Sequence, residues 1–240
     1  MKHLILVRHG QSIWNLKKRF TGWVDVELSE QGKSEAIKAG KLIKKLNLKF
    51  GGLFCSYQKR ALETLNLILF TLNTNPQTVI RAWELNERHY GELTGLNKKE
   101  MEKVYGKKKI YSFRRSWNMT PAPLNKKSPY HPLNIKIYKK IPRNKIPDAE
   151  SLKDTYERVI YYYSKNIEPL IKQDQNVLIS AHGNSLRALC KKLFNISNKK
   201  ISKLEIPTGN PLVIKFNKNF KVNNSFYLDD KRSKDLLVKF

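Results

Sequence analysis

The order of apolar segments along these 240 residues predicts an α/β fold: three-layer αβα, a mostly parallel sheet with helices on both faces. Two observations carry that expectation. Short β-branched runs alternate with segments whose apolar residues recur every three or four positions, the spacing of a helix with one buried face. One layout also occurs twice, a strand-like run ending in His-Gly with a helical segment behind it. The two copies are Leu4-Ile5-Leu6-Val7-Arg8-His9-Gly10 and Val177-Leu178-Ile179-Ser180-Ala181-His182-Gly183. In a parallel sheet both histidines emerge at the carboxyl edge, where binding crevices form.

Taken in order, His3 to Val7 reads as a buried strand. Ser29 reads as the N-cap of a helix with Ala36, Ile37, Gly40, Ile43 and Leu46 on its apolar face. Gly51-Gly52 reads as a break before the strand Leu53-Phe54-Cys55. A helix follows with Ala61, Leu62, Leu65, Ile68, Leu69 and Leu72 on one side, then a short strand at Val79-Ile80. From Trp83 to Gly95 the pattern is irregular and polar, and Asn97 to Glu100 has capping-box spacing for a short helix. The helical period returns after Ser151, with Leu152, Tyr156, Val159, Ile160, Tyr163 and Ile167 facing inward. The strand Val177 to Ser180, a helix from Ser185 to Phe194, and strands at Val213 to Phe216 and Phe226 to Leu228 complete the alternation. There is no internal repeat, and the simplest organisation is one domain over 1–240 with a long insertion at about 103–147.

That insertion holds no acidic residue, and it is the most basic part of a chain with 47 Lys+Arg, 20 Asp+Glu and a net charge of +27. Such a charge favours anionic partners without saying which. An RNP-like aromatic pattern, a zinc finger, a helix-turn-helix and a basic coiled coil are all missing, so specific nucleic-acid binding is not expected. The chain is rich in Asn, Lys and Ile, residues that AT-rich codons specify, and this offers a compositional origin for the charge. Cys55 and Cys190 lack metal-site spacing and read as buried free thiols, so no structural metal is expected. The N-terminal apolar run lacks the features of a signal peptide, and no run approaches the roughly eighteen apolar residues of a membrane span. The expected location is the cytoplasm, with no membrane partner.

Two imidazoles at one sheet edge suit phosphoryl transfer. A neutral imidazole is a competent nucleophile near pH 7, and a second one can donate a hydrogen bond to the group in flight. That group spreads negative charge over its equatorial oxygens, which Arg8 and Arg60 can meet with forked donors.

Leu6-Val7-Arg8-His9-Gly10-Gln11-Ser12 resembles the signature of the histidine phosphatase superfamily. The segments Trp14-Asn15 and Arg19-Phe20-Thr21-Gly22-Trp23 narrow the resemblance to its 2,3-bisphosphoglycerate-dependent phosphoglycerate mutases. Further matches follow in order: Glu84-Leu85-Asn86-Glu87-Arg88-His89-Tyr90-Gly91, Gly95-Leu96-Asn97-Lys98, Arg114-Arg115, Ser180 to Leu189, and Ile206-Pro207-Thr208-Gly209. The resemblance covers nearly the whole chain. It implies that His9 is phosphorylated, that Glu87 passes a proton to and from the substrate hydroxyl, and that His182 steadies the transferring group. By the same carry-over Arg8, Ser12, Asn15, Arg60 and Asn184 hold the phosphoryl group. Thr21, Gly22, Tyr90, Lys98, Arg114 and Arg115 hold the substrate's carboxylate and second phosphate, and Arg88 and Gly183 complete the binding set. The implied reaction interconverts 3-phosphoglycerate and 2-phosphoglycerate in glycolysis and gluconeogenesis, with 2,3-bisphosphoglycerate as primer. No metal is expected, since arginines take the part that Mg²⁺ plays in kinases, and family members are commonly homodimers or homotetramers. Glu87 needs a pKa raised toward neutrality to serve as both acid and base, which burial favours and the surrounding cations oppose.

Three features depart from the family pattern. Gln11 stands where Glu is common, the insertion lacks its usual acidic residues, and the tail after Leu228 is shorter by about ten residues. A short tail leaves the phosphohistidine less covered from water. Two other readings therefore stay open: a phosphatase using the same His9 and His182, and a catalytically inactive polyanion-binding protein.

Overall fold

Strands buried on both faces build the centre of the molecule. The computed structural model describes residues 2–73 and 78–237; Met1, residues 74–77 and the last three residues of the tail lie outside them. In β1 (Lys2–Arg8), Leu4 and Leu6 face one side of the sheet and Ile5 and Val7 the other, and all four are fully buried. Each contributes about 1.5–3 kcal/mol by leaving water. After a single turn of helix, α1 (Ile13–Leu16), come α2 (Glu30–Lys44), β2 (Phe50–Cys55), α3 (Lys59–Leu72) and the short β3 (Ile80–Arg81). The helices α4 (Lys98–Tyr105), α5 (Lys107–Arg115), α6 (Leu152–Tyr162) and α7 (Glu168–Lys172) precede β4 (Asn176–Ala181), α8 (Gly183–Leu193), β5 (Leu212–Phe216) and β6 (Val222–Tyr227).

The sheet order is β3-β2-β4-β1-β5-β6. The first four strands run parallel, β5 is antiparallel to β1, and β6 is antiparallel to β5. Ala39 and Ile43 of α2 and Leu65 and Ile68 of α3 pack on the face carrying Ile5, Val7, Leu53 and Leu178. Leu152 and Val159 of α6 and Leu186 and Leu189 of α8 cover the other face, on Leu4, Leu6, Val177 and Ile179. The expected mostly parallel sheet with helices on both faces is present. Among the described residues no helix is long and apolar enough to cross a membrane.

Local signals set several boundaries. Ser29 caps α2 by accepting the Gly32 N–H, a contact worth about 1 kcal/mol. Ser151 opens α6 with a capping box closed by Asp154. Other elements differ from the sequence reading. Gly51 and Gly52 do not break the chain; they lie inside β2 at a bulge, where a β-carbon on Gly51 would come within 2.4 Å of Gln175 and one on Gly52 within 2.8 Å of Leu170. Ile37 is 38% exposed because α2 turns Ala36, Ala39, Gly40 and Ile43 inward, and Leu46 falls beyond the helix end. The helix after Ser151 is interrupted by a π-helical turn at Tyr163–Ile167, ahead of Pro169 near the start of α7. Helix α8 begins at Gly183 and not at Ser185, because the Ser185 hydroxyl reaches back to accept the His182 N–H.

Cys55 and Cys190 are free, and burial pushes both thiols up to about 12. The basic insertion uses its few apolar side chains to cover the loops beyond the strand ends. Ile110 and Phe113 pack with Phe20 and Leu93, while Tyr138 and Ile141 pack on Trp23.

Candidate active site

The carboxyl edge of the sheet gathers most of the side chains singled out above. The register pairs Arg8 with Ala181, and the His9 N–H donates to the Ala181 carbonyl at 2.9 Å. The next residues of the two strands, His9 and His182, therefore stand with ring centroids 4.9 Å apart. His9 Nδ1 donates to the Gly10 carbonyl at 2.7 Å, which leaves Nε2 as the nitrogen with the lone pair. Burial, then Arg60 and Arg8, holds the His9 pKa well below its usual 6.5, so the ring is neutral at physiological pH. His182 lies fully buried beside it with Nε2 2.7 Å from the Ser56 hydroxyl.

The His9 loop is tied to α2. Gln11 N–H donates to Glu35 at 2.9 Å, and Ser29 N–H donates to the Gln11 carbonyl at 2.9 Å. The neutral Gln11 side chain fits here, since its oxygen accepts from the Ser29 hydroxyl at 2.9 Å. Ser12 and Asn15 cap α1 reciprocally. Asn15 then faces the cavity, whereas Ser12 is fully buried and outside its lining.

Arg60 is 1% exposed and donates to the carbonyls of Val24 at 2.9 Å and Gly22 at 3.0 Å, which shapes the Thr21-Gly22 wall. Glu87 faces the same cavity, positioned by Gln58, whose amide oxygen accepts the Glu87 N–H while its nitrogen donates to the Gly22 carbonyl. Burial pushes the Glu87 carboxyl up. The N–H donors of Arg88 at 2.8 Å and Asn184 at 3.1 Å, with Arg8 and Arg60, outweigh it and hold the group below the usual carboxylate value. The elevated pKa expected of Glu87 is therefore not a property of the resting site, because donors and cations win over desolvation there.

Tyr90, Lys98, Arg114, Arg115 and Gly183 complete the lining with Arg8, Thr21, Gly22 and Asn184. Arg88 does not belong to it. Its guanidinium turns away, bonds the Phe113 carbonyl and stacks over the Tyr90 ring, so it holds α5 in place. Lys98 donates to the Arg19 carbonyl, and burial beside Arg114 and Arg8 lowers its pKa to about 8. Arg115 reaches the Leu204 carbonyl and Glu205.

Sequence reasoning left Arg187 without a role, although it lies within a quoted motif. It is 5% exposed, lines the cavity, bonds Asn184 and the Leu204 carbonyl, and is lowered to about 9 by burial and by Arg115. Its spacing of three from Asn184 on one helix was the available signal. Gln58 and Arg158 gave none. Arg158 holds the loop bearing Glu87 through the carbonyls of Glu84, Asn86 and Glu87.

Among the described residues the lining carries six cations, Arg8, Arg60, Lys98, Arg114, Arg115 and Arg187, against one carboxylate, Glu87. Arg8 Nε, Thr21 Oγ1 and His182 Nδ1 are buried without a partner among the described residues. Unsatisfied donors and a cation excess fit a ligand with several phosphate or carboxylate oxygens. Among the described residues no group of three or more His, Cys, Asp or Glu is arranged to hold a metal.

A sheet of this topology with paired histidines and arginines at its carboxyl edge is the architecture of histidine-based phosphoryl transfer. The model of the histidine phosphatase superfamily, branch 1, matches residues 4–131 and 117–227, and the chain belongs to that family. Within it the chain groups with 2,3-bisphosphoglycerate-dependent phosphoglycerate mutases. A protein of that name from Pelagibacter ubique (strain HTCC1062) is 58% identical over 238 residues, covering 99% of this chain and all of the relative. Another from Hydrogenobaculum sp. (strain Y04AAS1) is 47% identical, over 97% of this chain and 94% of its own. Among solved structures, one described as mycobacterial hydrolase 1 superposes with a TM-score of 0.69 at 19% identity, covering 95% of this chain and 96% of its own, a likeness of fold.

Proposed function

We propose that the chain interconverts 3-phosphoglycerate and 2-phosphoglycerate through phosphate carried on His9, primed by 2,3-bisphosphoglycerate. The observation that supports this most directly is the neutral His9, its Nδ1 committed to the Gly10 carbonyl, facing a cavity whose lining, among the described residues, holds six cations and one carboxylate. His9 Nε2 attacks phosphorus, the P–O bond to the donor breaks, and Glu87 returns a proton to the departing hydroxyl oxygen. In the reverse step Glu87 takes the proton from the acceptor hydroxyl as that oxygen attacks the phosphohistidine. Arg8, Arg60 and His182 meet the equatorial oxygens. Asn15 and Asn184 add donors, while Thr21, Gly22, Tyr90, Lys98, Arg114 and Arg115 orient the carboxylate and distal phosphate. Anionic substrate offsets the cations that depress Glu87, which lifts its pKa toward its working range. Each lost charge-assisted bond costs about 1.5–3 kcal/mol, roughly ten- to a hundredfold in affinity.

The phosphoenzyme offered water or 3-phosphoglycerate tests this reading. Rapid transfer to the phosphoglycerate, forming the bisphosphate, is expected; inorganic phosphate as the sole product would make the protein a phosphatase. We further propose one mutase-like domain over 1–240 with the 103–147 segment as part of it, because that segment buries Ile110, Phe113 and Tyr138. Assembly as a homodimer or homotetramer and a cytoplasmic location belong to the same proposal, checked by sedimentation and fractionation.

A further inference from the structure

We propose that Ser56 is a positioning residue for phosphoryl transfer: its hydroxyl donates to His182 Nε2 and so holds the proton of that ring on Nδ1, ready for a phosphoryl oxygen. The inference rests on His9 as the phosphate carrier.

A neutral imidazole has one N–H, so only one of its nitrogens can donate. His182 is fully buried, and burial, with Arg60 and His9 next, holds it well below its usual 6.5, so it is neutral in the resting protein. Which nitrogen carries the proton is decided by the partner of the other. Ser56 directly follows β2, is fully buried, and has its hydroxyl oxygen 2.7 Å from His182 Nε2. The same oxygen accepts the N–H of Gln58 at 3.2 Å. If the ring proton sat on Nε2, the Ser56 hydroxyl proton would have no acceptor among the described residues. With the hydroxyl donating, the Ser56 hydroxyl and His182 Nε2 are both satisfied.

The proton then lies on Nδ1, which is buried with no partner among the described residues. With the two rings 4.9 Å apart, a phosphoryl group on His9 supplies the missing acceptor. A lone pair at that place would repel the phosphoryl oxygens.

The test measures long-range ¹H–¹⁵N correlations of the His182 ring in the resting protein, together with uptake of phosphate by His9 from 2,3-bisphosphoglycerate. The wild type should show the Nδ1–H form. Ser56→Ala should shift the ring toward Nε2–H and slow uptake roughly ten- to a hundredfold, the worth of one hydrogen bond to a charged group, and Ser56→Thr should restore both. A wild-type ring protonated on Nε2 overturns the proposal, even if Ser56→Ala fails to fold. So does a Ser56→Ala ring still protonated on Nδ1 with uptake within about twofold of wild type. A wild type that takes up no phosphate would instead remove the reading of His9, and the ring spectrum would still report on Ser56.

Discussion

Replacing Gly10 with alanine tests how rigidly the His9 loop must be held. A β-carbon there would sit 2.1 Å from the Gly32 carbonyl oxygen, 2.7 Å from its carbon and 2.8 Å from the Gly32 Cα. All three are backbone atoms of α2, so no side-chain rotation relieves the contact. Reaching even a tight separation requires the loop or the first turn of α2 to move by about an ångström. The two cannot part freely, because Ser29 N–H holds the Gln11 carbonyl and Glu35 holds the Gln11 N–H. The displacement therefore passes to His9, one residue away. A shift of that size in a reacting group costs about a hundredfold in rate, and the overpacking costs about 1–3 kcal/mol of stability. Rapid-quench measurement of His9 phosphorylation from 2,3-bisphosphoglycerate, alongside thermal melting, reads both. Gly106→Ala is the control: its φ of +82° strains an alanine but nothing among the described residues lies within 4 Å, so about 1–3 kcal/mol of stability should go with phosphorylation unchanged. A Gly10→Ala protein phosphorylated within about threefold of wild type would refute the idea that this backbone contact sets the nucleophile's position.

His9→Ala should lose phosphoenzyme and mutase turnover together, and retained turnover would remove His9 from the mechanism. Glu87→Gln should bind phosphoglycerate nearly as wild type yet transfer about a hundredfold more slowly; equal losses in binding and rate would make Glu87 structural. Arg187→Met removes a lining cation and frees Asn184, so KM for 3-phosphoglycerate should rise about ten- to a hundredfold with a smaller change in kcat. An unchanged KM contradicts that role. Burial holds His9 and His182 well below 6.5 and His89 down to about 3, so below about pH 6.5 the unfolded chain binds protons that the native state does not. Stability should therefore fall as pH drops from 6.5, by up to about 1.4 kcal/mol per pH unit for each histidine. A melting temperature flat between about pH 6 and 4 would show that these rings are protonated in the folded protein.

Local order determined much of what the sequence alone could state. A strand ending in His-Gly needs only β-branched periodicity and a helix behind it, so the positions of His9 and His182 at one sheet edge were legible, as was the Ser29 cap. Gly51-Gly52 was misread because a glycine pair signals a turn locally, whereas here it makes room for Gln175 and Leu170, which are distant in the chain. The binding cations were legible as residue types in family-like motifs. Their division into lining and support was not: Arg88 and Arg187 both sit in such motifs, yet one turns to the Phe113 carbonyl and the other into the cavity. Tertiary structure alone decided which nitrogen of His9 is free, that Glu87 rests with a depressed pKa, and that Gln58, Arg158 and Ser56 hold the site together. Those facts depend on desolvation and on hydrogen bonds between segments far apart in sequence, and neither leaves a periodic trace along the chain.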